Sequence, residues 1–204
     1  MLALIGALLH DSGYILNEEE EGPGAKYTLV HIGRSIGFLK KYLADKRFSK
    51  DDVEYCAAIL KWTGLDVKLA EISFKSKENE ILGKMLGTGD LLGQMADRTY
   101  LKKLPYLYYE FKEANIEGLG SELDFLEQTP KFFEMVKKRF RQELGGVFKY
   151  TRDHFRVRWG IDEDLYMSAI ENSIKYLKYV LEYHRENYRE YLSCYDFMPK
   201  VLRA

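Results

Sequence analysis

Apolar residues recur at helical spacing along almost the whole chain, and only four prolines interrupt them. The prolines stand at positions 23, 105, 130 and 199 of the 204 residues. No segment shows the alternation of apolar and polar residues that a half-buried β-strand needs. The length suits one large domain, or one domain with an appendage. The sequence therefore predicts an all-α fold.

Breaks in the apolar spacing divide the chain into separate helices. Leu2 to Leu9 is apolar nearly all round, which is typical of a helix buried in a core. Ser49 and Asp52 have the spacing of a capping box, which predicts a helix N-terminus there. Pro130 is expected in the first turn of its own helix, where proline is well tolerated. We expect helices at about 2–9, 29–43, 50–60, 78–101, 105–114, 121–128, 130–144 and 164–192.

The segment from Gly118 to Gly120 is the best candidate for a domain boundary. It predicts a core domain over 1–117 and a helical C-terminal extension over 118–204 that packs on it. Most of the sixteen tyrosines fall after residue 100. Because tyrosine buries area while keeping a polar tip, this bias predicts either a wet core or a subunit interface. In the second case a homodimer would form through the tyrosine-rich C-terminal helices.

Composition and charge exclude several classes of protein. The 31 basic and 32 acidic side chains give a net charge of −1, whereas a general nucleic-acid binder usually carries a basic excess. No run approaches the roughly 18–20 apolar residues of a membrane helix, so no membrane partner is expected. Cys56 and Cys194 are too few for a disulfide framework, which favours the reducing cytoplasm.

The densest chemical signal is the run LLHDSG at residues 8–13, which contains His10 and Asp11. A histidine nitrogen beside a carboxylate oxygen suits ions such as Mn, Fe, Co, Zn or Mg. Taken alone, the doublet is also typical of a helix end at which the aspartate caps and the histidine is exposed. It indicates a metal site only if a further ligand lies elsewhere in the chain.

Asp90 is the best candidate for that further ligand. It lies among glycines at 83, 87, 89 and 93, within a predicted helix. Each interior glycine costs about 1 kcal/mol relative to alanine, so the four predict close approach of a neighbour or ligand, or a break in the helix. Asp97 lies seven residues on, on the same face, and is the second candidate. Its alternative role is a surface ion pair with Arg98 or Lys102.

Together, the motif ALLHDSG, a helix beginning near a histidine and a later helical aspartate resemble the HD superfamily of metal-dependent phosphohydrolases. The resemblance covers about residues 1–115. It implies an all-helical core in which His10, Asp11 and Asp90 bind a divalent metal, and in which metal-bound water attacks a phosphate ester. His31 falls where many members place another histidine, which binds a second metal or contacts phosphate. The alternative for His31 is a helix N-terminal histidine without a partner.

Two features depart from the family pattern. The family's first metal histidine lies on a helix upstream of the doublet, whereas Met1 here begins directly in the apolar helix. We expect that preceding helix to be absent from this chain. Many two-metal members also have histidine near residues 59–63, where this chain has Lys61 and no histidine. That difference disfavours a full two-metal site. Lys61 is expected to meet phosphate as a point charge, or to be a solvated helix lysine.

The sequence favours a divalent-metal-dependent phosphohydrolase that acts on a small phosphorylated substrate, with a nucleotide as one candidate. Asp11 and His31 are the expected catalytic residues, and the metal is one of Mn, Fe, Co, Ni, Zn or Mg. Arg34 lies about one turn after His31 and is expected to clamp phosphate together with Lys61; a surface arginine is its alternative.

Two other functions stay open at this point. A catalytically degenerate HD-like module, which only binds or regulates a partner, would explain the missing histidines. A helical dimerisation protein would depend mainly on its tyrosine-rich C-terminal helix. Metal content separates the enzyme from both alternatives, because only the enzyme needs a filled site.

Overall fold

Nine α-helices form the part of the chain that the computed structural model describes, which is residues 1–65, 67, 72, 74 and 76–193. No strand occurs within these ranges, so the predicted all-α fold is confirmed. None of the described helices is long and apolar enough to cross a membrane. In chain order the helices are α1 (Leu2–Leu9), α2 (His31–Ala44), α3 (Lys50–Leu60), α4 (Lys77–Met95), α5 (Tyr100–Glu113), α6 (Glu122–Gln142), α7 (Tyr150–Trp159), α8 (Leu165–Tyr183) and α9 (Tyr188–Ser193).

Helix α1 is buried on one side only. Leu2, Ile5 and Leu9 pack against the core formed by α2 and α3. Leu4 and Leu8, by contrast, are 70% and 83% exposed. The expectation of a helix buried all round is therefore wrong, because α1 packs mainly against α3 and α4.

The helix predicted over 78–101 is in fact two helices. Helix α4 ends at Met95 and α5 begins at Tyr100. Between them, the Asp97 carboxylate accepts hydrogen bonds from the backbone N–H and the hydroxyl of Thr99, each 2.7 Å long. Bonds of this kind compete with the helical pattern and let the chain turn. Pro105 consequently lies inside α5 and does not start a helix.

Two other predicted boundaries also differ from the structure. A separate helix starting at Pro130 is wrong, since α6 continues through it. Proline removes one backbone hydrogen bond there, but the buried side chains of Leu126 and Phe133 keep both halves of α6 packed. The helix expected over 164–192 ends at Tyr183, because His184 leaves helical geometry with φ −134° and ψ 32°. A short 3-10 turn and α9 follow.

The described residues form two apolar cores. The small core consists of Leu39, Leu43, Cys56 and Leu60 from α2 and α3. The large core joins α4, α5, α6, α8 and α9 and also includes Trp62. It therefore combines helices from both predicted segments, 1–117 and 118–204. Among its fully buried members are Leu101, Phe140 and Leu177.

Glycines let Trp62 approach the backbone of α4. A Cβ atom at Gly83 would lie 2.6 Å from the indole ring, and one at Gly87 would overlap the Trp62 carbonyl oxygen. Gly89 and Gly93 face open space instead. The close approach of Trp62 explains Gly83 and Gly87. Helix α4 is continuous across all four glycines, so the alternative of a helix break is wrong. The packing of Trp62 against Gly83 and Gly87 therefore fixes the position of α4 relative to the end of α3.

Candidate metal centre

His10 and His31 are each held in place by a hydrogen bond from one ring nitrogen to a backbone carbonyl oxygen. His10 follows the last residue of α1, and its Nδ1 lies 2.8 Å from the carbonyl oxygen of Ala7. His31 is the first residue of α2, and its Nδ1 lies 2.6 Å from the carbonyl oxygen of Thr28. Because a carbonyl oxygen only accepts, both Nδ1 atoms donate, which leaves Nε2 as the ligating nitrogen of the neutral ring. Metal-binding histidines commonly have this arrangement.

Two carboxylates face these Nε2 atoms. Nε2 of His10 lies 3.2 Å from Oδ2 of Asp11 and 3.5 Å from Oδ1 of Asp90. Nε2 of His31 lies 3.9 Å from Oδ1 of Asp11. The structure therefore brings together four of the residues that the sequence singled out: two from the turn after α1, one from α2 and one from α4.

In this cluster the charges compensate one another. Hydrogen bonds to Asp11 and Asp90 raise the pKa of His10 to about 10, although burial opposes the shift. The hydrogen bond from His10 in turn lowers the pKa of Asp11. Among the described residues, no group of three or more His, Cys, Asp or Glu side chains is arranged so that it could hold a metal ion. The imidazolium of His10 occupies the position between the carboxylates.

The donor types in this cluster suit a divalent ion, and two of the distances between donors fall in the range that ligands of one ion have. Ligands about 2.0–2.2 Å from a metal lie about 3.0–3.5 Å from one another along the edge of a tetrahedron or octahedron. The distances around His10 are 3.2 and 3.5 Å. Nitrogen and carboxylate donors together suit Mn, Fe, Co, Ni or Zn. The Asp11 side chain is 60% exposed, so the cluster is open to solvent.

A buried serine fixes the backbone that carries the doublet. The Ser35 hydroxyl accepts a 2.8 Å hydrogen bond from Gly13 N–H and donates a 2.5 Å bond to the His10 carbonyl oxygen. A Cβ atom at Gly13 would overlap the carbonyl oxygen of His31. Residues 10–13 therefore lie tightly against α2. Sequence reasoning missed Ser35, although a serine in line with Leu39 and Leu43 on an apolar helix face is a usable signal.

Arg34 stabilises the loop after the doublet. Its guanidinium makes two 2.9 Å hydrogen bonds to the Glu20 carboxylate. It also donates to the carbonyl oxygens of Gly13 and Ile15 and lies 3.5 Å from the centre of the Tyr27 ring. The structure does not join Arg34 to the His–Asp cluster, and its predicted contact with phosphate stays a prediction.

Among the described residues, no hydrogen bond or ion pair joins Lys61 or Asp97 to the cluster. Lys61 begins the 3-10 turn after α3 and is exposed; its predicted phosphate contact likewise stays a prediction. Asp97 bonds to Thr99 and pairs with Lys103 rather than with the expected Arg98 or Lys102. Of the two candidate aspartates, Asp90 is the one beside His10.

Two further residues border the cluster and were not predicted from the sequence. The Tyr14 ring stacks on His31, with 4.5 Å between ring centres and 21° between ring planes. Glu110 of α5 is half-buried, and its charge interacts with those of Asp11 and His31. Burial and the nearby Asp11 raise the pKa of Glu110. Its only sequence signal is a carboxylate inside an aromatic run, between Tyr109 and Phe111.

Comparison with known proteins places the chain in one family. The model of the Npun_R2479-like family matches residues 7–156, and the chain belongs to that family. The matched range contains all four residues of the His–Asp cluster. No curated protein and no solved structure matches the chain.

Proposed function

We propose that this member of the Npun_R2479-like family is a divalent-metal-dependent phosphohydrolase. Its substrate would be a small phosphate ester, and nucleotides are the first compounds to test. The observation that carries the proposal is the position of His10 Nε2, within 3.5 Å of both Asp11 and Asp90. The resemblance of these residues to the HD metal site supports the same chemistry.

The metal ligands in this proposal are His10, Asp11 and Asp90, which offer one nitrogen and two carboxylates. A divalent ion bound there would lower the pKa of a water molecule and neutralise charge on the phosphoryl oxygens. Three protein ligands leave positions for water and substrate. Since His10 carries a proton on Nε2 in the metal-free cluster, that proton must leave when metal binds.

His31 is placed to transfer a proton. Hydrolysis forms a bond from a water oxygen to phosphorus and breaks the ester P–O bond. The water loses a proton and the leaving oxygen gains one. In this proposal Nε2 of His31 accepts the first proton and returns it to the leaving group, while the bond from Nδ1 to Thr28 holds the ring in place.

The proposed location is the cytoplasm. The Cys56 thiol is free and buried, and a reducing compartment keeps thiols unpaired.

The test compares two aspartates on either side of the end of α4. Protein is purified without chelators or a His-tag, and its metal content is measured by mass spectrometry. Hydrolysis of p-nitrophenyl phosphate and a panel of nucleotides is then measured. Asp90→Asn should lose most of the metal and reduce kcat/KM by at least about 100-fold. Asp97→Asn, the matched control, should keep both metal and activity, because its carboxylate bonds to Thr99 and Lys103.

Two results would overturn the proposal. One is a wild-type protein that takes up no metal even after soaking in Mn²⁺ or Zn²⁺, which would favour a binding or regulatory module. The other is a metal-loaded protein that hydrolyses none of the phosphate esters. Equal metal loss in Asp90→Asn and Asp97→Asn would show that Asp90 is not a specific metal ligand.

A further inference from the structure

The guanidinium of Arg34 is engaged by the loop between α1 and α2. Four of its five N–H groups donate hydrogen bonds there, two to the Glu20 carboxylate and one each to the carbonyl oxygens of Gly13 and Ile15. The Arg34 and Glu20 side chains are 25% and 23% exposed. A bidentate clamp on phosphate needs two N–H groups, so Arg34 could form one only after giving up part of this network.

Two of these hydrogen bonds fix the backbone on both sides of Tyr14. Gly13 precedes Tyr14 and Ile15 follows it, and Arg34 binds both carbonyl oxygens, at 2.7 and 3.0 Å. The Tyr14 ring stacks on the His31 ring, with 4.5 Å between the ring centres. Arg34 therefore holds in place the residue that stacks on the His31 imidazole.

The same guanidinium also contacts the segment that anchors His31 through its ring nitrogen. Arg34 lies 3.5 Å from the centre of the Tyr27 ring. The next residue, Thr28, accepts the hydrogen bond from Nδ1 of His31. The His31 ring thus has two supports, the stacked Tyr14 ring and the Thr28 carbonyl oxygen, and Arg34 contacts the chain directly beside each of them.

We propose that Arg34 is a positioning residue that fixes the plane of the His31 ring, and that Glu20 holds the guanidinium in place. This inference rests on the proposed function, in which Nε2 of His31 transfers a proton. Proton transfer is efficient only when the nitrogen points at its partner, so the ring plane must be fixed. One hydrogen bond from Nδ1 tolerates a range of ring orientations, whereas a stacked neighbour favours a single plane.

The experiment measures the ring stack and the kinetics of the full chain separately. Nuclear Overhauser effects between ring protons of His31 and Tyr14 report the stack in metal-free protein, without any need for activity. Hydrolysis of p-nitrophenyl phosphate at saturating Mn²⁺ gives kcat and KM. Glu20→Gln and Arg34→Lys should both lose the Overhauser effects and lower kcat by about tenfold or more at unchanged KM. Glu19→Gln, a matched control at an exposed neighbouring position, should change neither.

A phosphate clamp at Arg34 gives a different result. Glu20→Gln would free the guanidinium and lower KM, and Arg34→Lys would raise KM because lysine lacks the planar fork. Both variants would keep the Overhauser effects between the two rings. This combination, or an unchanged kcat in both variants, overturns the inference and leaves the proposed function intact.

Two substitutions of Tyr14 distinguish loss of the stack from loss of the fold. Tyr14→Phe keeps an aromatic ring and should retain kcat within about twofold, whereas Tyr14→Leu should lower kcat as far as Arg34→Lys does. Equal kcat in the two Tyr14 variants also overturns the inference. If Arg34→Lys does not fold, Glu20→Gln provides the test, because it removes only one charge. A wild type that binds Mn²⁺ but hydrolyses no phosphate ester overturns the proposed function, and the Overhauser effects still show whether Arg34 fixes the ring.

Discussion

The N-terminal region, α1 to α3 with the loop between α1 and α2, differs from the region formed by α4 to α9 in what holds it together. Its core is small, and α1 covers that core with one side only. Polar contacts supplement the packing, notably the buried hydrogen bond of Ser35 and the partly buried ones of Arg34. The second region relies on a large apolar core instead.

The cluster lies where these two regions meet. His10, Asp11 and His31 come from the polar N-terminal region, whereas Asp90 and Glu110 come from helices of the large core. Metal affinity should therefore depend on N-terminal hydrogen bonds, and global stability on the large core. If so, single substitutions can change metal affinity and global stability separately.

Phe140→Ala should give the largest change in stability. Phe140 is 1% exposed and lies in the large core, and removing such a side chain costs about 3–5 kcal/mol. Urea denaturation followed by circular dichroism measures the loss. The Mn²⁺ affinity of the folded variant should match that of wild type. A large drop in affinity at full folding would show that the two regions are not separable.

Ser35→Ala should affect both stability and metal binding. The change leaves Gly13 N–H and the His10 carbonyl without their partner, which costs about 2–3 kcal/mol. Because the same bonds position the doublet, Mn²⁺ affinity should fall by about 10–100-fold. Ser193→Ala is the control, since Ser193 is exposed and bonds only within α9. Unchanged affinity in Ser35→Ala would show that apolar packing alone positions His10.

Gly87→Ala and Gly93→Ala should change stability in opposite directions. An added methyl at Gly87 overlaps the Trp62 carbonyl and should destabilise the protein by about 1–3 kcal/mol. The same change at Gly93, which faces open space, should stabilise it by up to about 1 kcal/mol. Thermal unfolding of both variants measures the difference. Equal effects would contradict the close packing of Trp62 on α4.

Asp97→Ala should have the smallest effect on the free energy of unfolding. The effect should appear only at a pH where the Asp97 carboxylate is ionised. The ion pair with Lys103 and the hydrogen bonds from Thr99 lower the pKa of Asp97 to about 2. Because the folded-state pKa is depressed, this stabilisation is present above the ordinary aspartate pKa and disappears as the pH falls towards 2. The variant should lose about 1 kcal/mol at pH 7. A loss that persists undiminished near pH 2 would exclude this carboxylate as its source.

The sequence predicts the helices better than their ends. The capping box at Ser49 and Asp52 is present as expected, because it depends on neighbouring residues only. The continuation of α6 through Pro130 depends on packing of Leu126 and Phe133, which local spacing does not reveal. The side chain of Asp97 ended α4 earlier than its apolar spacing predicted.

The same distinction applies to the candidate site. His10 and Asp11 are adjacent in the chain, and the glycines around Asp90 mark that position, so local patterns identify three cluster residues. Glu110 reaches the cluster only through the packing of α5, and no local motif marks it. Spacing alone does not separate Asp90 from Asp97, because a separation of seven residues predicts one helical face. In the structure α4 ends at Met95, and Asp97 lies in the turn that follows, where it has different partners.

The packing of Trp62 against α4 also has an optical consequence. Trp62 is 4% exposed and contacts the glycines of the helix that carries Asp90, whereas Trp159, the other tryptophan, is 54% exposed. Their emission spectra should therefore differ, with the buried indole shifted to shorter wavelength. After Trp159→Phe, the remaining fluorescence would follow movement of α4 relative to α3 as ions are added, without any attached dye.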